Sequence, residues 1–323
     1  MNMPSISVIV PVFNGEITIK ETIQSVLNQT FQDFEIIVIN DGSQDKTLDI
    51  IESFNSPKIQ VFSYTNRGPA VSRNRGLDHA TGEFISFLDA DDLWTPDKLE
   101  AQLNALHANP QAAVAYSWTD YINESGQFLY PDERIAETGD VYAKLLVTNF
   151  LHNGSNPLIR RKALQEIGCF DESLWGSEDW DMWLRLAARY PFTVVPYPHN
   201  LYRISGYSIS SNIQTQAKEC LKVIEKAFAQ APDSLQHLKK QSLAKLYQYL
   251  TFKALEGLPN RHKGWLAAQY YWYTISAYPH LLWQRKKLMV VILLKIILWL
   301  LLPPHQARLF SKHGGSVLSS EQK

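Results

Sequence analysis

The chain is poor in cysteine, has no surplus of positive charge, and holds no uninterrupted apolar run long enough to span a bilayer. Its two cysteines among 323 residues, Cys169 and Cys220, exclude a disulfide scaffold, and their separation suits no metal knuckle. Two reduced thiols in a cytosolic protein are expected. Lys plus Arg (31) nearly balance Asp plus Glu (32), so the basic field that attracts nucleic acid is missing and no nucleic-acid partner is expected. Neither GxxxxGK[ST] nor GxGxxG occurs, which argues against an ordinary P-loop NTPase and a dinucleotide dehydrogenase. No internal repeat is visible. The N-terminus lacks a basic n-region ahead of "ISVIVPVF", so a strand rather than a signal peptide is expected there.

Apolar residues make up 45% and charged residues 20%, an ordinary globular mixture with ample core material. The length admits two domains, or one large domain with an appendage. Runs rich in Val, Ile and Phe at residues 6–12, 34–39, 59–64 and 84–88 alternate with helix-like stretches at 16–29, 45–54, 69–79 and 96–106. Thr95 as N-cap and Pro96 as first helical residue mark the start of the last one. Strand and helix alternating at this spacing predict βαβ units, hence an α/β fold built on a mostly parallel sheet flanked by helices. Residues 111–212 are less regular. "AAVAYSW", "SNPLIRR" and "FTVVP" read as strands, and "SEDWDMWLRLAARY" as a helix capped by Ser177. Beyond residue 213 the pattern is helical. The expected organisation is a nucleotide-binding half over 1–110, an acceptor-binding half over 111–212, a helical C-terminal extension over 213–312, and a disordered tail over 313–323.

Polar groups follow three of the first four strands: Asn14, "NDGS" at 40–43 and "DADD" at 89–92. Open α/β sheets bind ligands outside the carboxyl ends of their strands. Any one of these groups alone is an unremarkable turn, but together on one sheet edge they point to a site. Asp89 and Asp91 straddle one residue after a buried strand, a spacing that suits Mg²⁺ or Mn²⁺ carried in with a diphosphate. Asp92 has the weakest functional claim and is expected to stabilise the loop. In "NRGPAVSRNRGL" a helix begins at Gly68 and Pro69 and can face an anion. Arg73 is the expected nucleotide contact, and Arg75 is read as solvated surface. In "WGSEDWDMWLR" Glu178, Asp179 and Asp181 crowd a helix start where the dipole favours negative charge. Trp175, Trp180 and Trp183 supply an apolar wall that would raise a carboxylate's pKa.

The motifs "PVFNGE", "NDGSQD", "NRGPAVSRNRG", "LDADDLW" and "SEDWDMWLR", in this order, resemble those of the family-2 glycosyltransferases with the GT-A fold. The resemblance covers roughly the first 190 residues. It implies an inverting, non-processive enzyme that moves one sugar from a nucleotide-diphosphate donor, UDP above all, to a hydroxyl acceptor, using Mn²⁺ or Mg²⁺. By motif, Asp41 would recognise the nucleobase beside Pro11 and Glu16, and Arg73 would support the nucleotide. Asp89 would meet ribose or metal, Asp91 would ligate the metal, and Asp179 would be the general base. Glu178, Trp175 and Asp181 would lie on the acceptor side. The Gln-x-x-Arg-Trp motif of processive relatives is missing. Ser205 stands near the place where some relatives carry a metal-binding His, and His199 is expected to be structural. A sugar-phosphate nucleotidyltransferase and a non-catalytic nucleotide-sugar-binding scaffold are the alternatives. "PVFNGEITIK" is not the Gly-rich basic loop of the former, and the retained acids disfavour the latter.

Near the C-terminus, aromatics from Trp265 to Trp283 precede Arg285, Lys286 and Lys287, and then an apolar segment interrupted by Lys295. Interfacial aromatics, cations and hydrocarbon in that order read as a membrane-surface anchor; a terminal helix packed on protein is the other reading. The anchor would place the protein at the cytoplasmic face of a membrane, with a glycan or lipid-linked acceptor.

Overall fold

The computed structural model describes residues 4–205, 212–303 and 306. The chain divides into two compact units, Met1–Leu145 with Asn149–Ile209, and Leu146–Thr148 with Ser210–Lys323. The expected tail at 313–323 lies outside the described residues.

In the first unit the elements run β1 (Ile6–Val12), α1 (Ile19–Leu27), β2 (Phe34–Asn40), α2 (Thr47–Glu52), β3 (Ile59–Ser63), α3 (Pro69–His79) and β4 (Phe84–Phe87). There follow β5 (Leu93–Trp94), α4 (Lys98–Ala108), β6 (Val114–Ile122), β7 (Phe128–Pro131) and α5 (Tyr142–Val147), the last reaching past the unit's boundary. The unit closes with β8 (Leu158–Arg160), α6 (Arg161–Ile167), α7 (Glu178–Ala187) and β9 (Phe192–Arg203). One sheet joins all nine strands in the order β3-β2-β1-β4-β8-β6-β9-β5, with β7 paired to β6. The β3-β2-β1-β4 half is parallel throughout, with Ile6 opposite both Phe34 and Phe84. Its β2 and β4 are buried at every residue, because a parallel sheet is covered on both faces; they are mostly apolar, and the polar Glu35, Asn40 and Ser86 are each hydrogen-bonded. Antiparallel partners enter where β8 pairs β4 and β6 pairs β8.

Two elements differ from the sequence reading. Helix α4 begins at Lys98 rather than Pro96, because Trp94 is still held in a strand pair with Asn200. Thr95 Oγ1 instead donates to Asp97 Oδ1 at 2.9 Å and meets His199 Nδ1 at 2.8 Å. The short "FTVVP" strand extends to twelve residues, running through Pro196 and Pro198. Prolines are tolerated there because the pairing with β6 shifts register around Trp118.

Helix α3 lies against β1, and Gly76 allows the close approach: a Cβ there would sit 2.3 Å from Ile9 Cγ2. Gly76→Ala should therefore destabilise the fold by about 2 kcal/mol despite its better helix propensity. A urea midpoint unchanged or raised would refute the packing argument.

The second unit is helical: α8 (Ile213–Gln230), a 3₁₀ segment (Asp233–Leu238), α9 (Lys239–Ala254), α10 (Arg261–Ala277), α11 (Leu281–Gln284) and α12 (Lys286–Leu301). On α12, Leu288, Met289, Ile292, Ile296 and Trp299 are buried in a core shared with Ala244, Ala267 and Tyr271. Val290, Leu293, Leu294, Ile297 and Leu301 are exposed. At about 100° per residue these five form one stripe opposite the buried face. Among the described residues no helix is long and apolar enough to cross a membrane.

Candidate functional site

In the parallel half, β1 sits between β2 and β4, so chain connections leave it in opposite directions and open a crevice at the carboxyl ends of β1 and β4. The loops after β1, β2 and β4 converge there. Asn14, with φ of 50°, turns the chain out of β1. Its N–H donates to Ser43 Oγ at 2.9 Å, and its Oδ1 accepts from Gln44 N at 2.8 Å, stitching the β1 and β2 loops together. The Glu16 N–H donates to Asp45 Oδ2 at 3.0 Å, and Glu16 Oε2 accepts from Lys46 N at 3.1 Å. The result is a shallow depression lined by Asn14, Glu16, Ile17, Gln44 and Asp45. Pro11 stands one residue before the end of β1, and the exposed Phe13 just beyond it.

Asp41 is 3% exposed and organises the turn into α3. Its carboxylate accepts the Arg67 N–H at 3.0 Å and the Gly68 N–H at 2.8 Å, and pairs with Arg75 Nη1 at 3.1 Å. The Arg75 guanidinium also lies 4.3 Å from the centre of the Tyr64 ring. The structure thereby corrects the reading of Arg75 as solvated surface, since it is pinned between an acid and an aromatic face. Gly68 has φ of 89°, and a Cβ on it would lie 2.3 Å from the Trp175 ring, so an exposed indole roofs the start of α3. Trp175, expected on the acceptor side, stands over this turn.

Arg73 ties the rest of the site together. Its Nη2 donates to Asp89 Oδ1 at 2.6 Å and its Nη1 to Glu178 Oε1 at 2.5 Å, with the Arg73 side chain only 5% exposed. Burial opposes its charge, but Asp89, Glu178 and Asp179 outweigh that and raise its pKa. Breaking such a buried pair from one side would strand a charge, at a cost of about 3–5 kcal/mol. Its Nε is buried with no acceptor among the described residues. Gly154 packs against it, where a Cβ would come within 2.8 Å of Nη2.

The acids after β4 are differentiated by their surroundings. Asp92 is fully buried; its Oδ2 accepts from Ser155 Oγ at 2.5 Å and its Oδ1 from the Arg203 N–H at 3.0 Å. It braces the loop. The same Ser155 Oγ accepts the Asp89 N–H at 3.0 Å, and Arg203 Nε donates to the Asp91 carbonyl at 2.7 Å. Asp91 is pushed up to about 6 by burial and then by the repulsion of Asp89, with Arg203 opposing. A hard divalent cation beside these two acids would offset the repulsion that Asp89 exerts on Asp91. Among the described residues no group of three or more His, Cys, Asp or Glu could hold an ion. A cation held by Asp89 and Asp91 would have to complete its shell with phosphate and water.

Asp179, second residue of α7, is pushed up to about 7 by burial first and the neighbouring Glu178 second, while Arg73 pulls it down. Its Oδ1 accepts the Trp180 N–H at 2.6 Å. A carboxylate pushed to about 7 can take up or release a proton near neutral pH. Trp180 and Trp183 point into the core, 6% and 0% exposed, so the expected indole wall belongs to the packing of α7. Asp181 is placed away from the expected acceptor role. It is buried and bridges to Arg185 Nε at 2.8 Å, and Arg185 in turn donates to the Ile167 and Cys169 carbonyls, clamping α7 to the end of α6. His199 braces Thr95 and Asp97. Sequence reasoning missed Gly154 and Ser155 and misread Arg75. The "NGSN" stretch looked only like the lead into β8, and nothing local to it signals that it closes over Arg73 and Asp89.

The sequence profile described as "Glycosyltransferase like family 2" matches residues 7–254. A glycosyltransferase of uncharacterised specificity from Rickettsia typhi is 37% identical over 56% of this chain and 58% of its own length. A Campylobacter jejuni protein, GalNAc(5)-diNAcBac-PP-undecaprenol beta-1,3-glucosyltransferase, is 31% identical over 62% of this chain and 64% of its own. The chain thus spans little more than half the length of such relatives. Among solved structures, Staphylococcus aureus TarS superposes with a TM-score of 0.62 at 22% identity, over 85% of this chain and 49% of that one. A mannosyltransferase from Pyrobaculum calidifontis, in complex with GDP-Man and Mn²⁺, gives 0.61 at 18% identity, over 93% and 84% of the two chains. At these identities the likeness carries the fold alone, which is of the GT-A type.

Proposed function

The chain belongs to the glycosyltransferase-like family 2, and from that premise we propose that it is an inverting, single-addition glycosyltransferase taking its sugar from a nucleotide diphosphate, UDP in the first instance. The observation that carries the reading is Arg73, whose one guanidinium binds Asp89 on the donor side and Glu178 beside Asp179. Donor and acceptor machinery are thereby held in one rigid frame.

The nucleotide would enter the crevice after β1, with Pro11, Phe13 and Glu16 along one wall and Asp41 behind. Asp89 and Asp91 would hold Mn²⁺ or Mg²⁺. When bound, such a cation neutralises charge on a diphosphate leaving group. Arg73 orients Asp89, while Ser155 and Arg203 fix the loop that carries both acids. Asp179 takes the proton of the acceptor hydroxyl as its oxygen attacks the anomeric carbon from the face opposite the diphosphate. The new C–O bond forms as the anomeric C–O(phosphate) bond breaks, and the nucleoside diphosphate leaves. A single displacement inverts the anomeric centre.

The donor half has a direct test. Thermal shift of the full chain with UDP-sugars should show stabilisation that depends on Mn²⁺, and Asp91→Ala should remove that dependence. Equal stabilisation of variant and wild type would refute the metal assignment.

We place the enzyme at the cytoplasmic face of a membrane, where the outer stripe of α12 meets lipid headgroups. The free thiols Cys169 and Cys220 suit a reducing compartment. A lipid-linked or surface-glycan acceptor accords with that location.

A further inference from the structure

Three consecutive backbone carbonyls in the segment leading into β8 each accept a hydrogen bond from a different side chain. Trp94 Nε1 donates to the Ser155 carbonyl at 2.9 Å, Gln102 Nε2 to the Asn156 carbonyl at 2.9 Å, and Ser86 Oγ to the Pro157 carbonyl at 2.8 Å. The donors come from β5, α4 and β4, and all three meet one group, the amine of Lys98. Lys98 Nζ donates to Gln102 Oε1 at 2.9 Å and to Ser86 Oγ at 3.2 Å, and lies 3.8 Å above the Trp94 ring centre. Lys98, Ser86, Gln102, Ser155 and Asn156 are all wholly buried.

These bonds leave no freedom of direction. Ser86 Oγ gives its hydrogen to Pro157 and can only accept from Lys98. Gln102 gives both amide hydrogens away, to Asn156 and, at 2.6 Å, to Ser117 Oγ, so its oxygen faces Nζ. Turned over, the amide would set its oxygen against the Asn156 carbonyl. A leucine or methionine would fill the space of Lys98 without burying an amine, a burial that drives its pKa well down. Only a donor at this point holds the amide one way round. A neutral amine still has two hydrogens to give, one for each oxygen that Nζ meets, so the arrangement stands with Lys98 charged or neutral.

The same segment meets the donor acids. Ser155 Oγ accepts the Asp89 N–H at 3.0 Å and donates to Asp92 Oδ2 at 2.5 Å, while Gly154 packs against Arg73. We infer that Lys98 is a positioning residue for the donor site. Through Trp94, Gln102 and Ser86 it holds residues 155–157 in place, and through Ser155 it sets the loop that carries Asp89 and Asp91. It acts at one remove, by way of the Ser155 hydroxyl.

The consequence for the donor rests on the glycosyltransferase reading, but the brace itself is testable without a ligand. Lys98→Met removes the amine and keeps an unbranched apolar stem. In the full chain, amide hydrogen exchange at residues 89–92 and 153–156 should quicken about tenfold, with β1 and β2 exchanging as in wild type. The Mn²⁺ concentration giving half-maximal thermal stabilisation with UDP-sugar should also rise about tenfold. Ile36→Val, a methyl group removed from the N-terminal half of β2, lowers stability without touching the brace and should leave that midpoint unmoved. Loop amides that exchange as in wild type, or an unmoved Mn²⁺ midpoint in folded Lys98→Met, overturns the inference and leaves the transferase reading standing. A midpoint that moves as far in Ile36→Val makes the effect one of general stability and also overturns it. If Lys98→Met does not fold, Ser86→Ala, which removes the hydroxyl joining Nζ to Pro157, should move both readings in the same direction, and no movement there overturns the inference. Wild type that gains no stability from UDP-sugar at any Mn²⁺ concentration sinks the transferase reading, while the exchange pattern still decides the brace.

Discussion

Asp179→Asn should lower sugar transfer by about 10³-fold while leaving Mn²⁺-dependent donor stabilisation intact. The substitution keeps the shape of the side chain and its contact with the Trp180 N–H but removes the proton acceptor. The loss should therefore fall on kcat rather than on donor affinity. The pH profile carries a sharper form of the same claim. Burial first and Glu178 second push Asp179 up to about 7, and a base works only when ionised. Wild-type kcat/KM should accordingly rise about tenfold per pH unit below 7 and level off above it. Glu178→Gln removes a repelling charge and leaves Arg73 attracting, so both changes favour the Asp179 anion. The limb should move to lower pH, and activity at pH 6 should gain relative to pH 8. A limb that stays in place in Glu178→Gln, or transfer by Asp179→Asn at the wild-type rate, would remove Asp179 from the role of base.

The parallel half of the sheet was legible because its strands obey a rule that operates locally. A strand covered on both faces is apolar at most positions, and β1, β2 and β4 show it, their polar exceptions Ser7, Glu35, Asn40 and Ser86 each being hydrogen-bonded. The polar residues that follow them are legible for the same reason, since the chain cannot place them earlier. The wiring between these groups is another matter. Arg73 and Glu178 lie 105 residues apart in sequence, and only the tertiary fold joins them. Arg73 and Arg75 carry identical charges two residues apart, so composition cannot say that one bridges two acids and the other braces Asp41. Ser155 and Gly154 act through one hydroxyl and one missing methyl group, which leave no periodic trace. Lys98 shows the limit from the other side. The first residue of α4, it is wholly buried, with Nζ bonded to Gln102 Oε1 at 2.9 Å and lying 3.8 Å above the Trp94 ring centre. Burial drives its pKa well down, an environment no charge pattern announces.

The second large effect belongs to α12. The full chain should co-sediment with vesicles containing anionic phospholipid, and Leu294→Glu with Ile297→Glu should release it. The sequence left Lys295 as an interruption in the apolar segment, but the helix removes the difficulty. Lys295 lies off the outer stripe, partly buried, with Nζ 5.7 Å from the centre of the Trp299 ring. The stripe itself, Val290, Leu293, Leu294, Ile297 and Leu301, is between 39% and 71% exposed and carries no charge along its length. Lys286 and Lys287 stand at its N-terminal end, both exposed, and Trp283 just before them is 80% exposed. Five side chains each burying about half their surface contribute about 5 kcal/mol, and two lysines near an anionic surface add about 2 kcal/mol. The double substitution should cost about 100-fold or more in partitioning, and because both residues already face solvent the core against Met289 and Ile292 is untouched. The cations also separate lipid from the competing occupant. A second copy would bring its own Lys286 and Lys287 to the same face, whereas an anionic bilayer neutralises them. High salt should therefore weaken vesicle binding. Wild type that stays in the supernatant, or a variant that sediments equally well, would refute the docking face; a dimer dispersed by the same two substitutions would reassign it to self-association.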